Sequence, residues 1–235
     1  RLKDPGRGFA RSFLRQMEEG LGLALDAGVK VVVNAGGLNP AALATAGRQQ
    51  AERLGLTASV AHVEGDDLLP RAGELGLAGP GGAAPLAANA YLGAWGIVAA
   101  LGTGADVVVT GRVTDASLVV GPAAHHFGWG PGDLDALAGA VAAGHVVECG
   151  TQATGGNCAG FSALPAGTDL TRPGFPITEV YADGSSVITK HPGTGGAVTV
   201  DTVTAQLLYE IGGARYAGPD VTTRFDTVSL TLEGP

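Results

Sequence analysis

Three short apolar runs, rich in β-branched residues, each end in a cluster of small and polar residues and lead into a helical pattern. They read Lys30-Val-Val-Val-Asn-Ala-Gly-Gly-Leu-Asn-Pro40, Ala58-Ser-Val-Ala-His-Val-Glu-Gly-Asp-Asp67 and Asp106-Val-Val-Val-Thr-Gly-Arg-Val-Thr-Asp-Ala-Ser117. Strands buried on both faces of a parallel sheet look like this. Ligands of such sheets bind beyond the carboxyl ends of the strands, where these polar clusters fall. The expectation is an α/β fold: a mostly parallel, Rossmann-like sheet with helices on both faces, followed by a smaller α+β part.

The flanking pattern supports this reading. Phe13, Met17, Leu21 and Leu25 repeat at helical spacing within Phe9–Ala27, and Gly28 follows as a helix stop. Asn39-Pro40 reads as an N-cap and first-turn proline of a helix that reaches Leu54. Gly76–Pro85 reads as a loop. Leu86–Leu101 is so uniformly apolar that it predicts a buried helix. Further helices are expected over Ala116–Phe127 and Asp133–Val147. Gly150–Pro176 carries no periodicity. Ile177–Lys190 alternates around an Asp-Gly turn, a hairpin signal. A helix over Val200–Ile211 and a strand over Thr227–Leu232 complete the pattern. The change of character places a boundary near residue 172: an α/β domain over 1–172 and an α+β part with the hairpin over 173–235.

Charge narrows the function. The 235 residues carry a net charge of −8 and no Lys/Arg patch, which argues against nucleic acid as a partner. The longest apolar stretch is about half of the ~20 residues that a bilayer span needs, so no membrane is expected. Charged residues make up only 15%, and the apolar stretch Leu86–Leu101 needs cover; both suggest a homo-oligomer. Two cysteines, Cys149 and Cys158, are too few for a disulfide framework and are expected as reduced thiols.

Five clusters could carry chemistry. Asn34, Gly36, Gly37 and Asn39 form a glycine turn between strand and helix; it either offers N–H groups to an anion or is a tight turn capped by Asn39. Glu64, Asp66 and Asp67 gather carboxylates at a strand end, which could bind a hard cation, act as acid and base, or cap the next short helix through Asp66 or Asp67. Arg112 can clamp a carboxylate or phosphate with its planar fork, or form an intramolecular pair with an aspartate, and Asp115 could orient it or cap the helix that follows. His145, Glu148, Cys149 and Cys158 fit no standard zinc spacing; Cys149 with His145 as base is a minority reading. The amide-rich Gln152-Ala-Thr-Gly-Gly-Asn157 beside them reads as a substrate loop. Lys190-His-Pro-Gly193-Thr-Gly195-Gly196 could cradle a phosphate or simply connect strand to helix. His125-His126 ends a helix and suits its dipole. Neither a G-x-G-x-x-G fingerprint nor a phosphate loop occurs, so neither NAD nor ATP is indicated by motif and the cofactor stays open; no metal is expected, since the His/Cys spacing fits no standard pattern.

Several of these blocks together resemble the acyclic terpene utilisation protein A family. They are Val-Val-Val-Asn-Ala-Gly-Gly-Leu-Asn-Pro, Val-Glu-Gly-Asp-Asp-Leu-Leu-Pro, Asn-Ala-Tyr-Leu-Gly-Ala-Trp, Thr-Gly-Arg-Val-Thr-Asp-Ala-Ser-Leu, Gly-His-Val-Val-Glu-Cys-Gly-Thr-Gln-Ala-Thr-Gly-Gly-Asn and Thr-Lys-His-Pro-Gly-Thr-Gly-Gly. The resemblance spans nearly the whole chain and implies that it is an internal piece of a longer protein. It further implies a cytoplasmic protein of citronellol and geraniol catabolism, a route through branched acyl-CoA thioesters. It carries over a pathway context and no catalytic residues. The combined expectation is an enzyme, of lyase or hydratase type, whose small-molecule substrate is a branched acyl-CoA or related carboxylate. Arg112 and the glycine turns would bind the anion, and Asp67, Glu64 or Asp115 would move protons. The rival is a non-catalytic subunit that binds acyl-CoA or scaffolds a catabolic complex.

Overall fold

In a computed structural model the described residues are 6–233, and they form two compact units, Arg1–Thr114 and Asp115–Pro235. The change of pattern at residue 172 lies inside the second unit.

The first unit is built on a three-stranded parallel sheet. Strands β1 (Val31–Val33), β2 (Val60–Val63) and β3 (Val107–Thr110) lie in the order β1-β3-β2. Register pairs Val33 with Val109 and Val63 with Thr110, so all three strands end on one edge. Val107 and Val109 face helices α1 (Ser12–Asp26) and α2 (Pro40–Arg53), packing with Phe13, Met17, Leu21 and Leu43. By alternation the neighbouring positions face the other side, where Val63 meets Gly96 of helix α3 (Trp95–Gly102). The sheet is therefore covered on both faces, which its unbroken run of buried β3 residues required.

Local chemistry sets the helix starts. Asn39 accepts the Ala42 N–H at 3.3 Å, and Pro40 occupies the first turn of α2, as the sequence indicated.

The apolar stretch Leu86–Leu101 departs from expectation. Only α3 is helical; residues 86–94 run as an irregular arch across the strand ends. Their backbone bonds to the strand-end loops instead: Leu68 N–H to Ala88 O at 2.7 Å, Ala90 N–H to Asp66 O at 2.8 Å and Leu92 N–H to Arg112 O at 3.0 Å. These long-range bonds replace the helical ladder, and tertiary context overrides propensity.

In the second unit, α4 (Ser117–Phe127) and α5 (Leu134–Val147) pack beside a hairpin of β4 (Pro176–Val180) and β5 (Ser186–Lys190) around the Asp183-Gly184 turn. The buried Trp129 donates its indole N–H to Ala182 O at 3.0 Å in that turn. Helix α6 (Val200–Leu207), shorter than the pattern indicated, packs Val203 and Leu207 against Val146 and Ala153. A small pair, β6 (Arg215–Ala217) with β7 (Thr222–Arg224), was not foreseen. The strand expected over Thr227–Leu232 does not form. Phe225–Thr227 is a 3-10 turn, and the residues after it find no ladder partner among the described residues, although Leu230 joins the core. No helix of the described residues is long and apolar enough to cross a membrane.

Candidate functional site

The parallel register brings Asn34, Glu64 and Gly111, each the first residue past its strand, to the same edge of the first unit. Close backbone contacts shape that edge. Gly36 sits against the Thr110 carbonyl and Pro40, where any Cβ would collide. The turn 34–37 therefore rides directly on the end of the central strand.

Asp66 organises the rest. It is buried, and its Oδ2 accepts the Arg112 backbone N–H at 3.0 Å and the Asn89 amide at 2.9 Å. A Cβ on Gly111 would come within 2.5 Å of this carboxylate, so glycine is what lets the β3 loop reach it. A buried carboxylate demands such donors, because an unbonded charge away from water is costly. Asp66 thus ties together the ends of β2 and β3 and the 86–94 arch. Asn89 was not singled out by sequence. The signal available was the break in apolar character at Asn89 and Gly93.

The other acids of this edge have separate surroundings. Asp67 Oδ1 accepts the Leu69 N–H at 3.1 Å, and the residue bridges to Asn89. Glu64 is exposed, 3.5 Å from His62 Nε2. The Arg112 side chain is exposed and makes no ion pair or hydrogen bond with the described residues. A guanidinium on a backbone held by a buried carboxylate is suited to bidentate anion binding. Asn39, besides capping α2, donates to Arg7 O at 3.1 Å.

The remaining sequence candidates lie in the second unit. Asp115 precedes α4 and is exposed. Gln152 has a buried side-chain oxygen without a hydrogen bond, and the Asn157 N–H reaches Gln152 O at 3.4 Å. At the Gly193–Gly196 loop the N–H groups of Thr194, Gly195 and Gly196 and the Lys190 ammonium are engaged within the fold. Lys190 Nζ bonds Thr194 O at 2.7 Å, Gly195 N–H bonds Arg172 O at 3.0 Å and Gly196 N–H bonds Asp169 O at 2.8 Å.

His145 is fully buried between Tyr216 and Phe225, with ring centroids 5.2 and 5.4 Å away. Its Nδ1 lies 3.2 Å from Glu148 Oε1, although neither ring nitrogen has a well-aligned hydrogen bond. Burial pulls its pKa down, but Glu148 and the carbonyls of Tyr209 and Leu207 outweigh burial, and the pKa is raised. Cys149 and Cys158 are free thiols. Burial, then the charges of Glu148, Glu210 and Asp115, raise the Cys149 pKa, which makes it a poor nucleophile near neutrality. Among the described residues no group of three or more His, Cys, Asp or Glu is arranged to hold a metal ion.

A family model described as acyclic terpene utilisation family protein AtuA matches residues 1–235. No curated protein and no solved structure matches the chain.

Proposed function

The chain belongs to the acyclic terpene utilisation family AtuA, and from that premise we propose that it is an enzyme acting on a branched acyl-CoA thioester or related carboxylate at the strand-end edge of its first unit. The observation that carries this reading is Arg112: an exposed guanidinium without a partner among the described residues, on a backbone pinned by buried Asp66, at the end of the central strand. Arg112 holds the anionic group of the ligand, and the turn through Asn34, Gly36 and Gly37, whose Gly37 N–H is donated to Asn34 O at 3.2 Å, shapes the edge beside it. Asp67, with Glu64 as a second carboxylate, moves a proton to or from the carbon next to the thioester or carboxylate carbonyl. That proton movement suits addition or elimination of water.

A second reading, a subunit that binds the same ligand without turning it over, draws support from Asp66. The most buried acid of the cluster serves the fold through Asn89 and the Arg112 backbone. Calorimetry with a branched acyl-CoA and its free acid, followed by mass analysis of the recovered ligand, separates the two. Binding with altered ligand supports the enzyme; binding with unaltered ligand supports the subunit. No binding of either compound defeats both.

A further inference from the structure

The segment between Leu68 and Asn89 folds back on itself and lines an open, solvent-facing cavity of about 690 Å³ within the first unit, most of whose wall residues are exposed. Its neck is closed by the Leu68 N–H bond to Ala88 O at 2.7 Å and by the Asp67–Asn89 bridge. Its far end is set by a turn in which Gly79 N–H bonds Ala83 O at 2.8 Å, while Leu77 N–H returns to Ala72 O at 2.8 Å. The walls come from Leu68, Leu77, Pro80, Ala84, Pro85 and Leu86, and of the lining side chains Asn89 alone is polar. The Asn89 amide is already donated to Asp66. The volume falls within the range of small-ligand pockets, roughly 300–1,000 Å³.

We propose that this cavity receives the aliphatic chain of the ligand whose anionic group Arg112 holds. The assignment rests on the reading of Arg112 given above. Continuity supports it: Asn89 lines the cavity and bonds the carboxylate that fixes the Arg112 backbone. The wall chemistry decides the class of occupant, because a lining with no charge and no spare donor rewards burial of methylene and methyl groups only. A carboxylate with a branched or straight aliphatic chain meets both ends of the site.

The test is calorimetric titration with straight-chain carboxylates from propanoate to octanoate and their 3-methyl analogues. Affinity of the unaltered protein is expected to rise by about fourfold per methylene until the cavity is filled. Ala84→Trp, which fills the cavity, and Leu86→Asp, a substitution of an exposed wall residue, are each expected to flatten that slope and leave propanoate binding unchanged. Arg112→Ala is expected to weaken every acid by the same factor and leave the slope intact. An affinity independent of chain length, or a slope that survives both wall substitutions, overturns the cavity assignment and leaves the anion site standing. Failure of every acid, propanoate included, to bind overturns the anion site and this assignment with it.

Discussion

Lys30 and Asp106 meet at the edge where β1 and β3 begin, and Arg112 stands at the edge where β3 ends. At the first edge Lys30 Nζ lies 2.9 Å from Asp106 Oδ1, and the other carboxylate oxygen accepts the Ser59 N–H at 2.9 Å. The cation, the anion and the backbone of the segment before β2 close on each other. At the second edge the buried acid bonds the backbone N–H of Arg112 and the Asn89 amide, and the Arg112 side chain is exposed. Two edges of one sheet thus hold similar residues in different settings: one edge neutralises its charges to fix the strands, and the other keeps an exposed arginine that we propose serves a ligand. This follows the general division of open α/β sheets, in which chemistry gathers beyond the carboxyl ends.

The comparison can be broken most directly at Asp66. Asp66→Ala strands the half-buried Arg112 N–H and Asn89 amide, and is expected to cost about 3 kcal/mol in urea unfolding. A loss under about 1 kcal/mol would show that the clamp is not structural. Next comes Arg112→Lys. It keeps the charge and loses the fork, so affinity for the acyl-CoA or free acid is expected to fall about tenfold, close to 1.4 kcal/mol. Unchanged affinity in calorimetry would make Arg112 an ordinary surface residue. At the opposite edge Lys30→Ala is expected to cost only about 0.5 kcal/mol, since the pair is half-exposed. This pair also has a pH signature. The hydrogen bond from Lys30, then that from Ser59, hold the Asp106 pKa below its ordinary value. The stability it confers is therefore present above the unfolded-state value of about 3.9 and is lost as pH falls through the lower folded-state value. Melting temperatures of the unaltered protein and Asp106→Asn should converge in that acid range; a constant gap would refute the linkage. The smallest effect is that of Arg112→Ala on stability, expected within about 0.5 kcal/mol.

His145 runs the opposite way. Its raised pKa means the stability it contributes is fully present below the ordinary imidazole value of about 6.5 and fades as pH rises through the folded-state value.

What the sequence made legible was local. The β-branched runs, the Asn39-Pro40 helix start and the Asp183-Gly184 hairpin each follow from residues within a few positions of one another, and each formed. The strand-end position of Asn34, Asp67 and Arg112 was legible for the same reason. The Asp66–Asn89 bond was not, because it joins residues 23 apart across the Gly76–Pro85 loop, and Asn89 itself lies in a stretch whose composition favours helix. The Thr227–Leu232 alternation misled similarly: period-two patterning describes a strand only where another strand offers its edge. The Gly193–Gly196 loop has the composition of an anion cradle, but which of its N–H groups point inward depends on Arg172 and Asp169, far along the chain.

The strand order has a consequence for how the first unit comes into being. β1 and β2 never touch; each pairs only with β3, which is made last. During synthesis a nascent chain that stops short of Val107 carries Val31–Val33 and Val60–Val63 as two strands with nothing to pair with. The valine-rich segments then wait for their shared partner through some forty residues of further translation after β2, a few seconds at about 5–20 residues per second. Exposed strand edges in that interval invite association between chains. Arrival of β3 between them closes both ladders in one step, so the sheet assembles as a unit or not at all.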